Sequence, residues 1–275
     1  WNTTAVTDMG WMFYEAVSFD SDISGWDTSN VTDMTAMFSD AQTFNQDISA
    51  WNVGSVTTMA AMFYYATSFN QDISIWDTSN VTDMASMFEE AEAFDQPLNS
   101  WNVSSVTDMN SMFFNALLFN QDIGAWDVTN VTNMAAMFQN ATAFNQDIGA
   151  WNVVNLLDAT GFMDGKDDTN YSAVNLDSIY NTWSTLTVQP YVTINFGCIK
   201  YTSAGQSGRN ILTNSPNYWT STDCGSQTFQ ILVDVTGIGE FTLPYYDLGT
   251  YTGTIDWGDG NVTDNTYANR NHIYA

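Results

Sequence analysis

WDTSNVTDMTAMFSDAQTFNQDISA, residues 26–50, decides the architecture, because its pattern recurs through more than half of the chain. Tryptophan stands at 1, 26, 51, 76, 101, 126 and 151, a spacing of 25 with no insertion, and every other apolar position keeps step. All but one of the 13 methionines fall into two columns at that spacing, Met9 to Met134 and Met12 to Met137, beside a phenylalanine column from Phe13 to Phe138. A methionine column can be a soft-metal ligand set. Flanked by phenylalanine at this spacing, it reads as core. A unit this short cannot bury its apolar face alone, so copies must stack on one another.

Within one copy, V-T-x-M-x-x-M-F-x-x-A places apolar residues at i, i+3, i+6, i+7 and i+10, which predicts a short helix or an irregular helical turn. Thr32, Thr82 and Thr107 stand where its N-cap would be. The F-N-Q-D-I segment carries β-favouring residues and turn polars and predicts a short strand. One strand and one helical turn per copy describe an α/β repeat solenoid of six coils and a degenerate seventh. Strands about 4.7 to 4.9 Å apart would give a rod of roughly 30 Å.

The template resembles the repeat of the BspA-like leucine-rich-repeat family of bacterial surface proteins, written MF..A..FNQDI..WDVSNVTDM, over residues 1 to about 160. The resemblance implies a right-handed leucine-rich-repeat solenoid on a secreted or cell-surface protein, often adhesive or matrix-associated. Phe19, Ile23 and Val31 take its leucine-type core positions.

Two polar columns carry candidate chemistry. Asn45, Asn70, Asn120 and Asn145, with Asp20 and Asp95 in the same register, predict a side-chain ladder bonded to backbone groups at a turn. Asp22, Asp47, Asp72, Asp122 and Asp147 form a column of like charges, interrupted by Pro97, that stacking brings within about 5 Å of one another. Either these carboxylates accept backbone hydrogen bonds in solvent, or Ca²⁺ sits between them. The glycine-rich nonapeptide of Ca²⁺-binding β-rolls is absent, which favours the first. Asp256 and Asp259, at a glycine turn, are a further candidate Ca²⁺ pair without EF-hand spacing.

From Trp151 the template decays, and residues 1–165 are taken as the repeat domain. Residues 166–226 read as a small α+β cap: a helix around Ala173 to Trp183, a strand near Val192 to Phe196 and a helical turn near Ser207 to Thr213. Cys198 and Cys224 lie in no C-x-x-C or Cys/His pattern. They are either a disulfide across the cap, which fits an oxidising compartment, or two buried thiols. The segments Tyr191 to Tyr201 and Tyr218 to Gly225 resemble the stretch that closes the repeats in the same family.

Residues 227–275 alternate apolar and polar residues between glycine turns, which predicts antiparallel β-structure. Ile255-Asp256-Trp257-Gly258-Asp259-Gly260, followed by His272-Ile273-Tyr274, resembles a PKD-like immunoglobulin-type β-sandwich. Three or four strands are too few for two sheets. Either further strands lie beyond Ala275, or a neighbouring copy completes the open edge by strand addition. In the second case Trp257 and Tyr274 at that edge, and Trp1 on a first coil without a recognisable cap, would meet head to tail. Contacts that do not close a ring make filaments.

A net charge of −27 leaves no basic surface for nucleic acid. No apolar run approaches 18 residues, so no transmembrane segment is expected. A start at Trp1, with no leader pattern, reads as a processed or excised chain. The low charged fraction, 13 %, makes the polar surface mainly amide and hydroxyl, as is usual outside the cell. His272 is the one histidine, so no Ser-His-Asp triad can be assembled, and no carboxylate pair is singled out for glycoside hydrolysis. An enzyme is not expected. N-x-[ST] sequons at Asn2, Asn30, Asn80, Asn102, Asn130, Asn140, Asn170 and Asn261 are candidate glycan sites, though repetition alone generates many of them. The expected protein is an extracellular or bacterial cell-surface structural subunit of a head-to-tail fibre, with no cofactor unless Ca²⁺. The alternative is a monomeric adhesin whose acidic repeat face, without Lys or Arg before Lys166, binds a host protein, glycan or basic partner.

Overall fold

The computed structural model describes residues 1–226 and, past them, the backbone of four short strands. The chain divides into two units, Trp1–Gln227 and Thr228–Ala275.

In the first unit each copy lies parallel to the next, through bridges Asp8↔Asp33, Asp33↔Thr58, Thr58↔Asp83, Asp83↔Asp108 and Asp108↔Asn133. No helix forms; the segment is an irregular turn, and the destination of the N–H groups explains why. In the second coil the N–H groups of Met34, Ala36, Phe38 and Asp40 donate to Thr58, Ala60, Met62 and Tyr64 of the third, at 2.7 to 3.1 Å. Met37, Ser39 and Ala41, between them, donate to the carbonyl three residues back. With every second donor spent on a neighbour, i to i−4 bonding is impossible. Two residues per coil turn left-handed to permit this, Ala36 (φ 51°) and Asp40 (φ 59°) in the second coil. The strain is roughly 1–2 kcal/mol per residue, offset by the inter-coil bonds. Thr32 is no N-cap: its N–H and hydroxyl both donate to the Thr7 carbonyl, at 2.8 and 3.1 Å.

Nor does F-N-Q-D-I form a strand in any coil. Side chains replace the backbone ladder there. Asp20 Oδ1 accepts the Asn45 N–H, Asn45 Oδ1 that of Asn70, Asn70 Oδ1 that of Asp95, and so on through Asn120 and Asn145 to Ser172, all at 2.8–3.0 Å. The role is acceptance alone, which is why acid and amide alternate freely in this column. Asn70→Ala, which orphans the Asp95 N–H and the Gln96 amide, should cost about 1–2 kcal/mol in urea denaturation. Asn70→Asp keeps the acceptor and should cost less than half as much; equal costs would refute the ladder.

The interior is a set of axial stacks. Phe38 and Phe44 pack face to face at 3.9 Å within a coil, and Phe38 meets Phe63 of the next at 5.7 Å. Trp51 stacks on Trp76's equivalent below it, Trp26, at 6.4 Å, and its Nε1 donates to the Ile23 carbonyl, so no buried indole N–H is left over in this column. The Met, Phe and Ile columns are fully buried from the second coil onward. Each such side chain contributes roughly 1.5–3 kcal/mol by burial. The residue after each tryptophan alternates, Asp27, Asn52, Asp77, Asn102, Asp127, and each Oδ1 accepts the N–H two residues on. Alternation sets like charges two coils apart, roughly 10 Å, about one Debye length.

Helix α1 (Ala173–Trp183), capped by Ser172 Oγ accepting the Asn175 N–H, buries Leu176, Ile179, Tyr180 and Trp183. Strand β1 (Thr193–Asn195) continues the inter-coil ladder, Ala159 bridging Ile194. After helix α2 (Gln206–Thr213), strand β2 (Thr220–Thr222) pairs parallel to β1, Thr193 opposite Thr220. Cys198 and Cys224, just past β1 and β2, form a disulfide. Asp223, unremarked in the sequence, ties α1, α2 and β2 together: Tyr180 Oη and Arg209 Nε both donate to its Oδ2 at 2.6 Å.

In the second unit β3 (Glu240–Thr242) pairs antiparallel with β6 (Asn271–Ile273), and β4 (Thr254–Asp256) with β5 (Val262–Asp264). Trp257, Asp259, Asn261 and Tyr274 lie outside the described residues, and Asp256 is described by its backbone alone.

Candidate functional site

The aspartate column resolves into five separate turns. Asp22, Asp47, Asp72, Asp122 and Asp147 each direct Oδ1 at the N–H two residues ahead, at 2.8–3.0 Å. Hydroxyl and N–H of Ser24, Ser49 and Ser74 hold Asp22, Asp47 and Asp72 below the usual carboxylate range. Among the described residues no three His, Cys, Asp or Glu side chains converge on a point that a metal ion could occupy. The backbone-accepting arrangement is therefore present in all five turns.

Three of the sequon asparagines are structural ties. Asn30, Asn80 and Asn130 donate Nδ2 to the carbonyls of Thr4, Gly54 and Ser104 in the preceding coil at 2.7–2.9 Å. Asn2 and Asn102 turn Oδ1 to Thr4 and Ser104, and Asn170 accepts the Asp167 N–H. Asn140 occupies a left-handed position, φ 57°. Three of the seven described sequon asparagines thus commit Nδ2 to the neighbouring coil.

The outer face of coil 1 differs from every other coil face described. Each inner coil receives four N–H groups from its predecessor, as Asp33, Thr35, Met37 and Ser39 receive those of Met9, Trp11, Phe13 and Glu15. The matching carbonyls of Asp8, Gly10, Met12 and Tyr14 have no such donor among the described residues, and form a row of acceptors. Around them Trp1, Trp11, Met12 and Val17 are exposed, whereas Trp51, Met37 and their column mates are buried. Trp1 stacks on Trp26 at 6.1 Å with its other face open to solvent. Apolar surface beside unpaired acceptors in parallel register is what one coil offers another.

A family model described as "Mycoplasma protein of unknown function, DUF285" matches residues 1–81 and 71–176. No curated protein and no solved structure matches the chain. No helix of the described residues is long and apolar enough to cross a membrane.

Proposed function

Since the chain belongs to the DUF285 family, Mycoplasma proteins of unknown function, we propose that it is an extracellular structural protein whose subunits join head to tail in a surface or matrix fibre. The family match is compatible with the BspA-like repeat resemblance. In this reading the stacked coils are a leucine-rich-repeat solenoid, residues 166–226 cap it, and residues 227–275 are a PKD-like β module. The carrying observation is the parallel joint between successive coils, four N–H groups of one donating to four carbonyls of the next, a contact that a second subunit would repeat on the carbonyls of Asp8, Gly10, Met12 and Tyr14. A second subunit supplies the strand-like donor row that the inner coils supply to each other, and the β edge of its C-terminal module is the contact proposed for the other end. Mutual repulsion at −27 opposes this, so assembly should strengthen as salt rises toward about 0.15 M and the charges are screened.

Sedimentation and electron microscopy of the full chain test the reading. Concentration-dependent filaments are expected, and imaging with and without EDTA tells whether cations bridge the aspartates. Met12→Glu with Val17→Glu, both on the exposed face, should abolish them while leaving the thermal transition in place. A monodisperse particle at high concentration and moderate salt would sink the fibre and favour the monomeric adhesin.

A further inference from the structure

The two residues after each Met-Phe pair vary along the stack and, apart from the buried Ser39, reach solvent at least in part: Tyr14-Glu15, Ser39-Asp40, Tyr64-Tyr65, Glu89-Glu90. Tyr14, Tyr64 and Tyr65 are 45 %, 36 % and 39 % exposed, more than a packing role requires. The rings of Tyr64 and Tyr65 lie 6.3 Å apart. A hydrogen bond and the charge of Glu15 push the Tyr14 hydroxyl up, and partial burial and the charges of Glu89, Glu90 and Asp40 push up that of Tyr64. Phenols and carboxylates of four coils therefore share one electrostatic field.

The backbone conformation does not favour these residue types. The second residue of each pair is left-handed: Glu15, Asp40, Tyr65 and Glu90 have φ of 55°, 59°, 55° and 59°. Later coils place Asn115, Asn140 and Gly165 there, types that enter this region at low cost. Coils 1, 3 and 4 instead place glutamate or tyrosine there, side chains that stay partly open to solvent, Glu90 also accepting Asn115 Nδ2 from the next coil at 2.6 Å. No lysine or arginine precedes Lys166 to neutralise the patch.

We infer that the Tyr14, Glu15, Tyr64, Tyr65, Glu89 and Glu90 face is a docking surface for an arginine-rich peptide segment. Guanidinium groups lie over the tyrosine rings and donate to the glutamates between them. Four coils span roughly 15 Å, the length of four or five extended residues, so more than one cation is engaged and a peptide fits where a single small cation does not. The inference is independent of fibre formation.

Labelled oligoarginine, oligolysine and oligocitrulline peptides are titrated into the full chain by fluorescence anisotropy at about 0.15 M salt. Binding in the order arginine, lysine, with none for citrulline, is expected. Tyr64→Ser with Tyr65→Asn, and separately Glu15→Asn with Glu90→Asn, should each weaken oligoarginine binding at least tenfold, about 1.4 kcal/mol. Serine and asparagine are the residues other coils use at these places, so the fold is retained, which circular dichroism checks. Asp22→Asn with Asp47→Asn removes the same charge from a different column and should change affinity less than about twofold. No binding, unchanged affinity in the tyrosine variant, or equal losses in the patch and control carboxylate variants would each overturn the proposal, the last by reducing it to net charge.

Discussion

Phe88→Ala is expected to lower the stability of the repeat unit by about 3–5 kcal/mol, read as a fall in the urea midpoint. Phe88 is fully buried, stacks on Phe94 at 4.1 Å, and meets Phe63 and Phe113 at 5.6 Å on either side. The cavity therefore opens two coil interfaces at once. Stacked repeats are held by nearest-neighbour terms, so a defect in the middle weakens the coupling of the two halves as well as the site. A lower denaturant slope or a second transition would display that uncoupling. Phe13, in the same column but half-exposed on coil 1, has a coil on one side only, Phe38 at 5.5 Å. Phe13→Ala should cost roughly half as much. Equal losses at the two positions would contradict a stack stabilised across its interfaces.

The second large effect is a gain. Lys166→Met should stabilise the protein at neutral pH by up to about 3 kcal/mol. Position 166 continues the buried alanine column that runs through Ala116 and Ala141, and its lysine is 1 % exposed. Nζ donates to the Ala141 carbonyl at 2.5 Å and stands 6.0 Å from the Tyr171 ring, too few contacts to replace its hydration. Burial lowers the ammonium to about 8, against an ordinary 10.5, with Asp167 opposing weakly. Between these values the unfolded lysine holds a proton that the folded one has released, so the unfolded state binds more protons and stability rises with pH. The penalty is complete below about 8 and gone near 10.5. Above roughly pH 10 buried Tyr171 and Tyr180, both raised by burial, act in the opposite direction, because the folded state then keeps protons that the unfolded state loses. Urea denaturation at pH 7.5 and 9.5 should show wild type gaining on Lys166→Met; parallel behaviour of the two would refute the assignment. Methionine fills the aliphatic stem's volume without the charge.

Which parts of this were legible in the sequence follows from where each signal is stored. The core columns were, since a side chain repeated every 25 residues beside Met and Phe has no solvent-facing explanation. The amide-acid ladder at Asn45 and Asn70 was, because one column that tolerates Asn and Asp alike must need only an acceptor. Helix α1, with its Ser172 cap, falls where local pattern placed it. The choice between helix and irregular turn, and the lack of a strand at F-N-Q-D-I, were not. Apolar residues at i, i+3 and i+7 mark one face of a helix, but they equally mark the inner face of a turn that alternates right- and left-handed residues. The signal that could have separated the two is the small or Asn/Gly residue at the left-handed places, Ala36, Ala61, Asn115 and Gly165. The tyrosine patch escaped for another reason: it is defined by which neighbour is present.

By itself the sequence determined the period, the side of each residue that faces inward, the decay of the template from Trp151 and the absence of a basic surface. Those properties are written in side-chain chemistry, which a linear pattern displays directly. Only the tertiary structure decided where the backbone N–H groups go, that the aspartates cap turns, that Asp223 gathers Tyr180 and Arg209, and that Lys166 is buried. Every residue but proline carries the same backbone donor and acceptor, so composition cannot say whether a partner lies four residues away in a helix or 24 away in the next coil.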